Sequence, residues 1–141
     1  MFRSPIPGEA PLAPRFLAQG ATIVHNITLA TMTSEIHVDA MIDTGASICV
    51  VPPSIARALG FEPHNRLWQR PVNVVGDQVK MDMHRLQYMK VGSAKAYGVS
   101  FGVYSTFPGS LMPLVGLTFM DKFTTITFDL AGKRVVFRRG G

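Results

Sequence analysis

The chain has 141 residues, enough for one domain with a hydrophobic core and too few for two. Its formal net charge of +5 and its pI of about 9.8 raise the question of nucleic-acid binding. Most basic residues are scattered, however, and the only local concentration is Lys133, Arg134, Arg138 and Arg139. We interpret this concentration as a solvent-exposed strand face or tail, and we expect no nucleic-acid partner.

An extended N-terminal arm is predicted over residues 1–18, and the remaining residues 19–141 form the predicted domain. Four prolines interrupt the arm, which has little apolar periodicity. The first residues lack the hydrophobic core of a signal peptide, although an upstream segment could have been trimmed. The compartment is therefore unknown, with cytoplasm and periplasm both open.

Two strands are predicted next, and the second ends at an acidic residue. The run from Ala21 to Leu29 is rich in β-branched residues, and residues 35–42 alternate between apolar and polar side chains. A hairpin through residues 31–34 would join them. The second strand then ends at Asp43, which puts a carboxylate at a strand-to-turn corner.

A short apolar strand and a short helix follow this corner. Residues 48–51 are all apolar, and two prolines end the strand while permitting a first helical turn. The helix is predicted over about residues 53–59, with Gly60 as its C-terminal cap. Cys49 is the one cysteine of the chain and is expected to be a buried free thiol.

The middle of the chain is predicted to be a loop followed by a hairpin. The loop covers residues 61–70 and the hairpin residues 72–83. Its predicted turn is Gly76-Asp77, with Gly at the first central position of a type II′ turn. Met81 and Met83 are expected to pack on one face of the second strand.

The C-terminal part is predicted to consist of strands. They cover residues 86–91, 98–104 and 111–115, followed by a hairpin of residues 125–129 and 133–138. The uncharged run 96–120 is long enough to span a bilayer. Its prolines, glycines and alternating apolar residues indicate buried strands and turns instead. No membrane segment is expected, and the chain is predicted to be mostly β with one or two short helices.

Two short motifs carry the functional information. The first is Met41-Ile42-Asp43-Thr44-Gly45-Ala46-Ser47, which sets a carboxylate between two apolar runs. Such a carboxylate needs a partner because the desolvation of an isolated charge is costly. The second is the turn Leu114-Val115-Gly116, which is followed by the predicted core residues Phe119, Met120 and Phe123.

In these two motifs the chain resembles the retropepsin-like aspartic proteases, most closely their small single-domain bacterial members. The resemblance covers about residues 21–137. It implies the acid protease fold, a closed β-barrel or sandwich, and the activity of an aspartic endopeptidase on extended polypeptides. It also implies a homodimer, because the chain has no second Asp-Thr/Ser-Gly and the other carboxylate has to be Asp43 of a second copy.

The same resemblance gives expected roles to individual residues. Asp43 is the expected catalytic residue. The expected supports of the catalytic turn are Thr44, Gly45 and Ser47, and the expected substrate-binding flap residues are Val75, Gly76 and Asp77. No cofactor is implied, and no metal is expected, because the histidines at positions 25, 37, 64 and 84 show no ligand spacing.

Two other functions stay open on the sequence. A protein of the same fold could bind peptides or dimerise without hydrolysis, since fold does not settle function. A basic nucleic-acid module would show an affinity that falls steeply with added salt. Substrate preference is open as well, because the flap lacks the Asn-Gly or aromatic element frequent in the family and Val115 replaces a frequent Leu.

Overall fold

The computed structural model describes residues 8–74, 76–104 and 112–140. Among these residues, no helix is both long enough and apolar enough to cross a membrane. The elements in chain order are β1 (Gly8–Pro11), α1 (Pro14–Leu17), β2 (Ile23–Ala30), β3 (Glu35–Ile42), β4 (Cys49–Val50), α2 (Pro53–Ala58), a 3-10 turn (Pro63–Asn65), β5 (Trp68–Val74), β6 (Asp77–Val91), β7 (Ala94–Tyr104), β8 (Leu114–Val115), α3 (Leu117–Met120), β9 (Thr125–Asp129) and β10 (Arg134–Arg138).

Six strands close into a barrel. Their order is β2-β3-β8-β4-β7-β6, and the ring is completed because β6 also pairs with β2, with Leu29 opposite Met89. Strand β5 lies outside the ring and pairs only with β6 in the described part of the chain. The prediction of a mostly β, closed barrel with short helices is confirmed.

The N-terminal residues join a separate three-stranded sheet of order β1-β10-β9. All its strands are antiparallel, and Ala10 lies opposite Val135. Ala10 and Leu12 are buried, so this part of the chain packs against the domain core. The division of the chain at residue 18 stays a prediction, and residues 1–7 lie outside the described part.

Two groups of apolar side chains hold the fold together. The larger joins the barrel to α3 and to the three-stranded sheet and contains Phe101, Phe119 and Phe137, each no more than 1% exposed. The smaller, called the flap-side cluster here, consists of the buried side chains of Ile48, Val50, Met81 and Met83. Because Val50 of β4 and the preceding Ile48 pack with Met81 and Met83 of β6, this cluster ties the hairpin of β5 and β6 to the segment that follows Asp43.

The middle hairpin differs from the prediction in its length and its turn. Strand β5 begins at Trp68, inside the predicted loop, and β6 continues unbroken to Val91. Val74 pairs with Asp77, so Asp77 belongs to β6 and not to the predicted turn Gly76-Asp77. Gly76 has a φ of +76°, which a glycine adopts readily, while Val75 lies outside the described residues.

Two further strand boundaries were also wrong. Strand β7 begins at Ala94 instead of residue 98, because a turn at Gly92 with a φ of +60° pairs Val91 with Ala94. Strand β8 contains only Leu114–Val115, and residue 111 of the predicted strand lies outside the described part. The stretch after Gly92 has low strand propensity, and only its pairing with β6 makes it extended.

His84 is a buried histidine within the barrel wall. Its side chain is on β6 and is 2% exposed, with its ring stacked on Phe101 at 5.7 Å and tilted against Phe61 at 5.0 Å between centroids. Burial lowers the pKa of this imidazole below its ordinary value of 6.5, although the nearby Asp82 carboxylate acts in the opposite direction. The folded protein therefore favours a neutral ring.

We expect this burial to make the protein less stable in mild acid. The unfolded chain takes up a proton on His84 near pH 6.5, whereas the folded chain resists it, so the free energy of unfolding should fall as the pH drops below that value. Urea unfolding at a series of pH values measures this slope. His84→Phe should flatten it, while His64→Gln, at a side chain that is 77% exposed, should not. If His84→Phe left the pH dependence of the unfolding free energy unchanged, His84 would not be the cause of the lower stability in acid.

Candidate active site

The two sequence motifs come together at the end of β3. This strand runs parallel to β8, with Ile42 opposite Val115. Immediately beyond the strand, the backbone N–H of Asp43 donates to the carbonyl oxygen of Val115 at 3.0 Å. The corner that bears the carboxylate is therefore bonded directly to the second turn, although more than 70 residues separate them.

The turn after Asp43 orients the carboxylate. The Gly45 N–H donates to Oδ1 of Asp43 at 2.9 Å, and the Ala46 N–H donates to the Asp43 carbonyl oxygen at 3.2 Å. Asp43 is half-buried, so one face of its carboxylate region stays accessible. The Gly45 amide thus fixes one carboxylate oxygen and leaves the other available.

Gly116 lets the two turns touch through their backbones. A Cβ atom at this position would lie 2.6 Å from the carbonyl carbon of Ile48 and 2.7 Å from the carbonyl oxygen of Ala46. Its φ of −106° is open to any residue, so the requirement for glycine is one of space. Leu117 then donates its N–H to the Ala46 carbonyl oxygen at 2.9 Å, which closes the contact.

The hairpin of β5 and β6 lies above an apolar floor next to this corner. The floor is the flap-side cluster, joined at its edges by the partly buried residues Val72, Tyr104 and Leu114. Leu114 pairs with both Met41 and Val50, so the floor continues directly into the strand that ends at Asp43. Of the predicted flap residues, Gly76 and Asp77 are exposed at the tip, and Val75 lies outside the described residues.

Comparison with known proteins identifies the family of the chain and a similar fold. A family model described as "Aspartyl protease" matches residues 29–136, which include both turns and the hairpin. The chain belongs to the aspartyl protease family. Its fold is similar to the crystal structure of a retropepsin-like aspartic protease from Rickettsia conorii, with a TM-score of 0.69 and 18% sequence identity over 99% of this chain and 97% of that one. No curated protein matches the chain.

The other predicted supports of the family motif lie on the same turn. The side chains of Thr44 and Ser47 are exposed beside Asp43. Within the described part of a single copy, neither hydroxyl bonds to the Asp43 carboxylate, which accepts from the Gly45 amide. The same described residues contain no group of three or more His, Cys, Asp or Glu side chains that could hold a metal ion.

A half-buried hydroxyl behind the corner was not found from the sequence. Thr118 accepts a hydrogen bond from the Cys49 N–H at 2.9 Å and donates to the Ser100 carbonyl oxygen at 2.6 Å. It thereby links α3 to both β4 and β7. Burial raises the pKa of the Cys49 thiol, so this cysteine is a neutral packing residue, as predicted, rather than a nucleophile. A single threonine two residues after a glycine carries no sequence signal for such a link.

Replacing Thr118 with Val is expected to weaken the packing that supports the turn after Asp43. The change keeps the shape of the side chain but leaves the Cys49 N–H and the Ser100 carbonyl without their shared partner, which costs about 1–3 kcal/mol of unfolding free energy. Denaturant unfolding measures the loss, and a thiol reagent should react faster with Cys49 in the native state. Thr118→Ser keeps the hydroxyl and is the matched control. Equal stability of the two variants would contradict the linking role.

Proposed function

We propose that this chain is an aspartic endopeptidase that works as a homodimer and activates water between the Asp43 carboxylates of two copies. The observation that carries the proposal is the placement of Asp43 on a turn whose amide holds one carboxylate oxygen, bonded to a second turn that excludes any side chain. Membership of the aspartyl protease family supports the class of reaction.

A single copy supplies only half of the groups that this chemistry needs. The sequence contains one Asp-Thr-Gly, so the second carboxylate has to come from a symmetry-related copy. The exposed hydroxyl of Thr44 forms no hydrogen bond among the described residues of its own copy, and the proposal gives it the role of bonding to the partner's turn. The proposal therefore makes dimer formation a condition of activity.

The proposed mechanism follows from bringing two carboxylates to hydrogen-bond distance. Like charges at that separation cannot both ionise, so the pair shares one proton. The ionised carboxylate takes a proton from a water molecule, whose oxygen attacks the peptide carbonyl carbon. The protonated carboxyl donates to the developing oxyanion. Collapse of the tetrahedral intermediate breaks the C–N bond once the leaving nitrogen has been protonated.

The proposed substrate is a polypeptide in an extended conformation. A strand-like peptide can bond to backbone groups of the hairpin and of the turn around Asp43, while alternate side chains enter pockets. The partly buried side chains of Val72, Tyr104 and Leu114, which pack against the flap-side cluster, offer apolar surface for such pockets. This favours large apolar side chains on either side of the cleaved bond.

A mixing experiment tests the dimeric site. Wild-type chains are unfolded together with a ninefold excess of Asp43→Asn chains, refolded, and assayed on an apolar peptide library. If both carboxylates are required, activity per wild-type chain should fall to about one tenth, because random pairing leaves about that share of wild-type chains with a wild-type partner. A matched excess of Asp121→Asn chains, altered at an exposed aspartate, should leave activity per total chain at the wild-type value, because every chain in that mixture carries Asp43. Activity independent of the Asp43→Asn excess would overturn the two-copy site.

The second candidate function is peptide binding without hydrolysis. The same floor and hairpin can hold an extended peptide whether or not water is activated, and the flap departs from the family pattern at its tip. Saturable binding of library peptides with no product after prolonged incubation of the wild-type dimer would favour this candidate over the endopeptidase.

A further inference from the structure

A cavity separate from the Asp43 corner lies between α2 and the barrel wall. Its volume is about 140 Å³, which is similar to an engineered apolar cavity of about 150 Å³ known to hold benzene. The wall residues come from α2, the following 3-10 turn and strands β6 and β7: Pro53, Ala56, Arg57, Phe61, Glu62, Pro63, Asp82, His84, Val103 and Tyr104. Its size therefore matches one six-membered ring.

The walls of this cavity are flat and mostly apolar. Phe61 and His84 present rings whose centroids are 5.0 Å apart, and Tyr104 adds a third ring. Prolines Pro53 and Pro63 contribute two further rigid rings. Aromatic ligands pack well against such surfaces because stacked and edge-on ring contacts add to the gain from apolar burial.

One buried polar group faces the cavity. The His84 ring is 2% exposed, yet neither of its nitrogens forms a hydrogen bond within the described part of the chain. Every fully buried side-chain N or O atom among those residues has a hydrogen-bond partner. Because the His84 nitrogens have none, they are not fully buried, and the small exposed part of the ring includes them. A neutral imidazole has one donor and one acceptor, and a ligand hydroxyl can satisfy either.

The charges around the cavity do not favour an ionic ligand. Arg57 and Glu62 have opposite charges at the rim. The Asp82 carboxylate is already bound, by Arg66 at 3.4 Å and by the amide of Gln69 at 3.0 Å. An additional anion or cation would upset this balance, whereas a neutral molecule would not.

We propose that this cavity is a binding site for a phenolic ring, whose hydroxyl bonds to His84 and whose ring lies between Phe61 and Tyr104. The ring belongs either to a free phenol or to a tyrosine side chain of a polypeptide. Asp82 and His84 point to this side of β6, while Met81 and Met83 point to the flap-side cluster. The cavity and the flap-side cluster are therefore on opposite faces of β6, and Tyr104 borders both.

Nuclear magnetic resonance titration of the 15N-labelled full chain tests the site. Phenol should cause saturable shifts of the amides of residues 57, 61, 84 and 103, and it should bind about three- to tenfold more tightly than benzene, the difference of one hydrogen bond. Shifts that do not saturate for either compound would overturn the proposal and leave a cavity without an aromatic ligand. Equal affinities for both compounds would also overturn it, because the cavity would then bind apolar rings without a hydrogen bond to His84.

Two variants separate the hydrogen bond from the cavity itself. His84→Phe should bring the phenol-to-benzene ratio close to one while benzene still binds, and Ala56→Leu should block both compounds by filling the cavity from α2. His64→Gln, outside the cavity, should keep the wild-type ratio. A ratio unchanged in His84→Phe would remove the histidine from the site.

A second titration identifies the source of the ring. N-acetyltyrosinamide is compared with N-acetylphenylalaninamide under the same conditions. Tighter binding of the tyrosine compound than of the phenylalanine compound assigns the site to polypeptide side chains. If phenol binds and neither amino-acid amide does, the site is assigned to small phenols. None of these measurements requires peptide cleavage, so their outcome does not depend on the proposed endopeptidase activity.

Discussion

Replacing Asp43 with Asn is expected to abolish peptide cleavage, lowering kcat by at least about a thousandfold. An amide cannot take a proton from water, and in a symmetric dimer the change removes both carboxylates at once. The fold should survive, because Asn keeps the side-chain oxygen that accepts from the Gly45 amide at 2.9 Å. The decrease in kcat is measured by chromatography of the products formed from a peptide library.

The control for this prediction separates chemistry from assembly. Sedimentation should give the same mass for Asp43→Asn and for the wild-type protein, and their thermal unfolding should be similar. Asp121→Asn, which removes an exposed carboxylate beyond α3, should cleave as the wild type does. Cleavage by Asp43→Asn at the wild-type rate would rule out the proposed reaction. If Asp43→Asn sedimented with a lower mass than the wild type, Asp43 would also support the dimer interface.

Replacing Gly116 with Ala is expected to destabilise the protein by about 3 kcal/mol or more, at the upper end of overpacking effects. The new methyl group would lie 2.6 Å from the Ile48 carbonyl carbon and 2.7 Å from the Ala46 carbonyl oxygen. These are backbone atoms of the turn after Asp43 and cannot move alone in a close-packed interior. Denaturant unfolding measures the loss, and cleavage should fall with it because the turn is displaced.

Gly102→Ala is the matched control for that substitution. Its methyl group would also be close to other atoms, 2.8 Å from Met81 Cε and 3.0 Å from Ile48 Cδ1. These are the ends of flexible side chains, so they can rotate away, and we expect a loss of about 1 kcal/mol. If both alanine variants lost the same stability, the close backbone contact at Gly116 would not be the cause.

The register of the middle hairpin shows why the sequence predicted strands better than turns. Alternation along a strand has a period of two residues, so it fixes which side chains share a face. The predicted turn Gly76-Asp77 differs from the observed pairing of Val74 with Asp77 by a shift of two residues, which leaves every face unchanged. The hydrophobic pattern therefore could not distinguish the two turns, and the observed one is decided by pairing in the folded sheet.

The sequence by itself determined the mostly β fold, the bounds of β3 and the corner at Asp43. Strand β3 was predicted over residues 35–42 because its alternation is regular and an acidic residue interrupts it, and both are local properties of the chain. The short motif around Gly45 likewise contains its own turn chemistry, including the amide that bonds to the carboxylate.

Only the tertiary structure decided which distant groups meet. The backbone contact of Gly116 with Ile48, the bridge of Thr118 to Ser100 and the burial of His84 beside Phe61 all join residues far apart in sequence. No periodicity encodes such contacts, because each depends on how the closed barrel brings its strands and turns together. The support of the corner and the cavity behind β6 could therefore be recognised only in the folded chain.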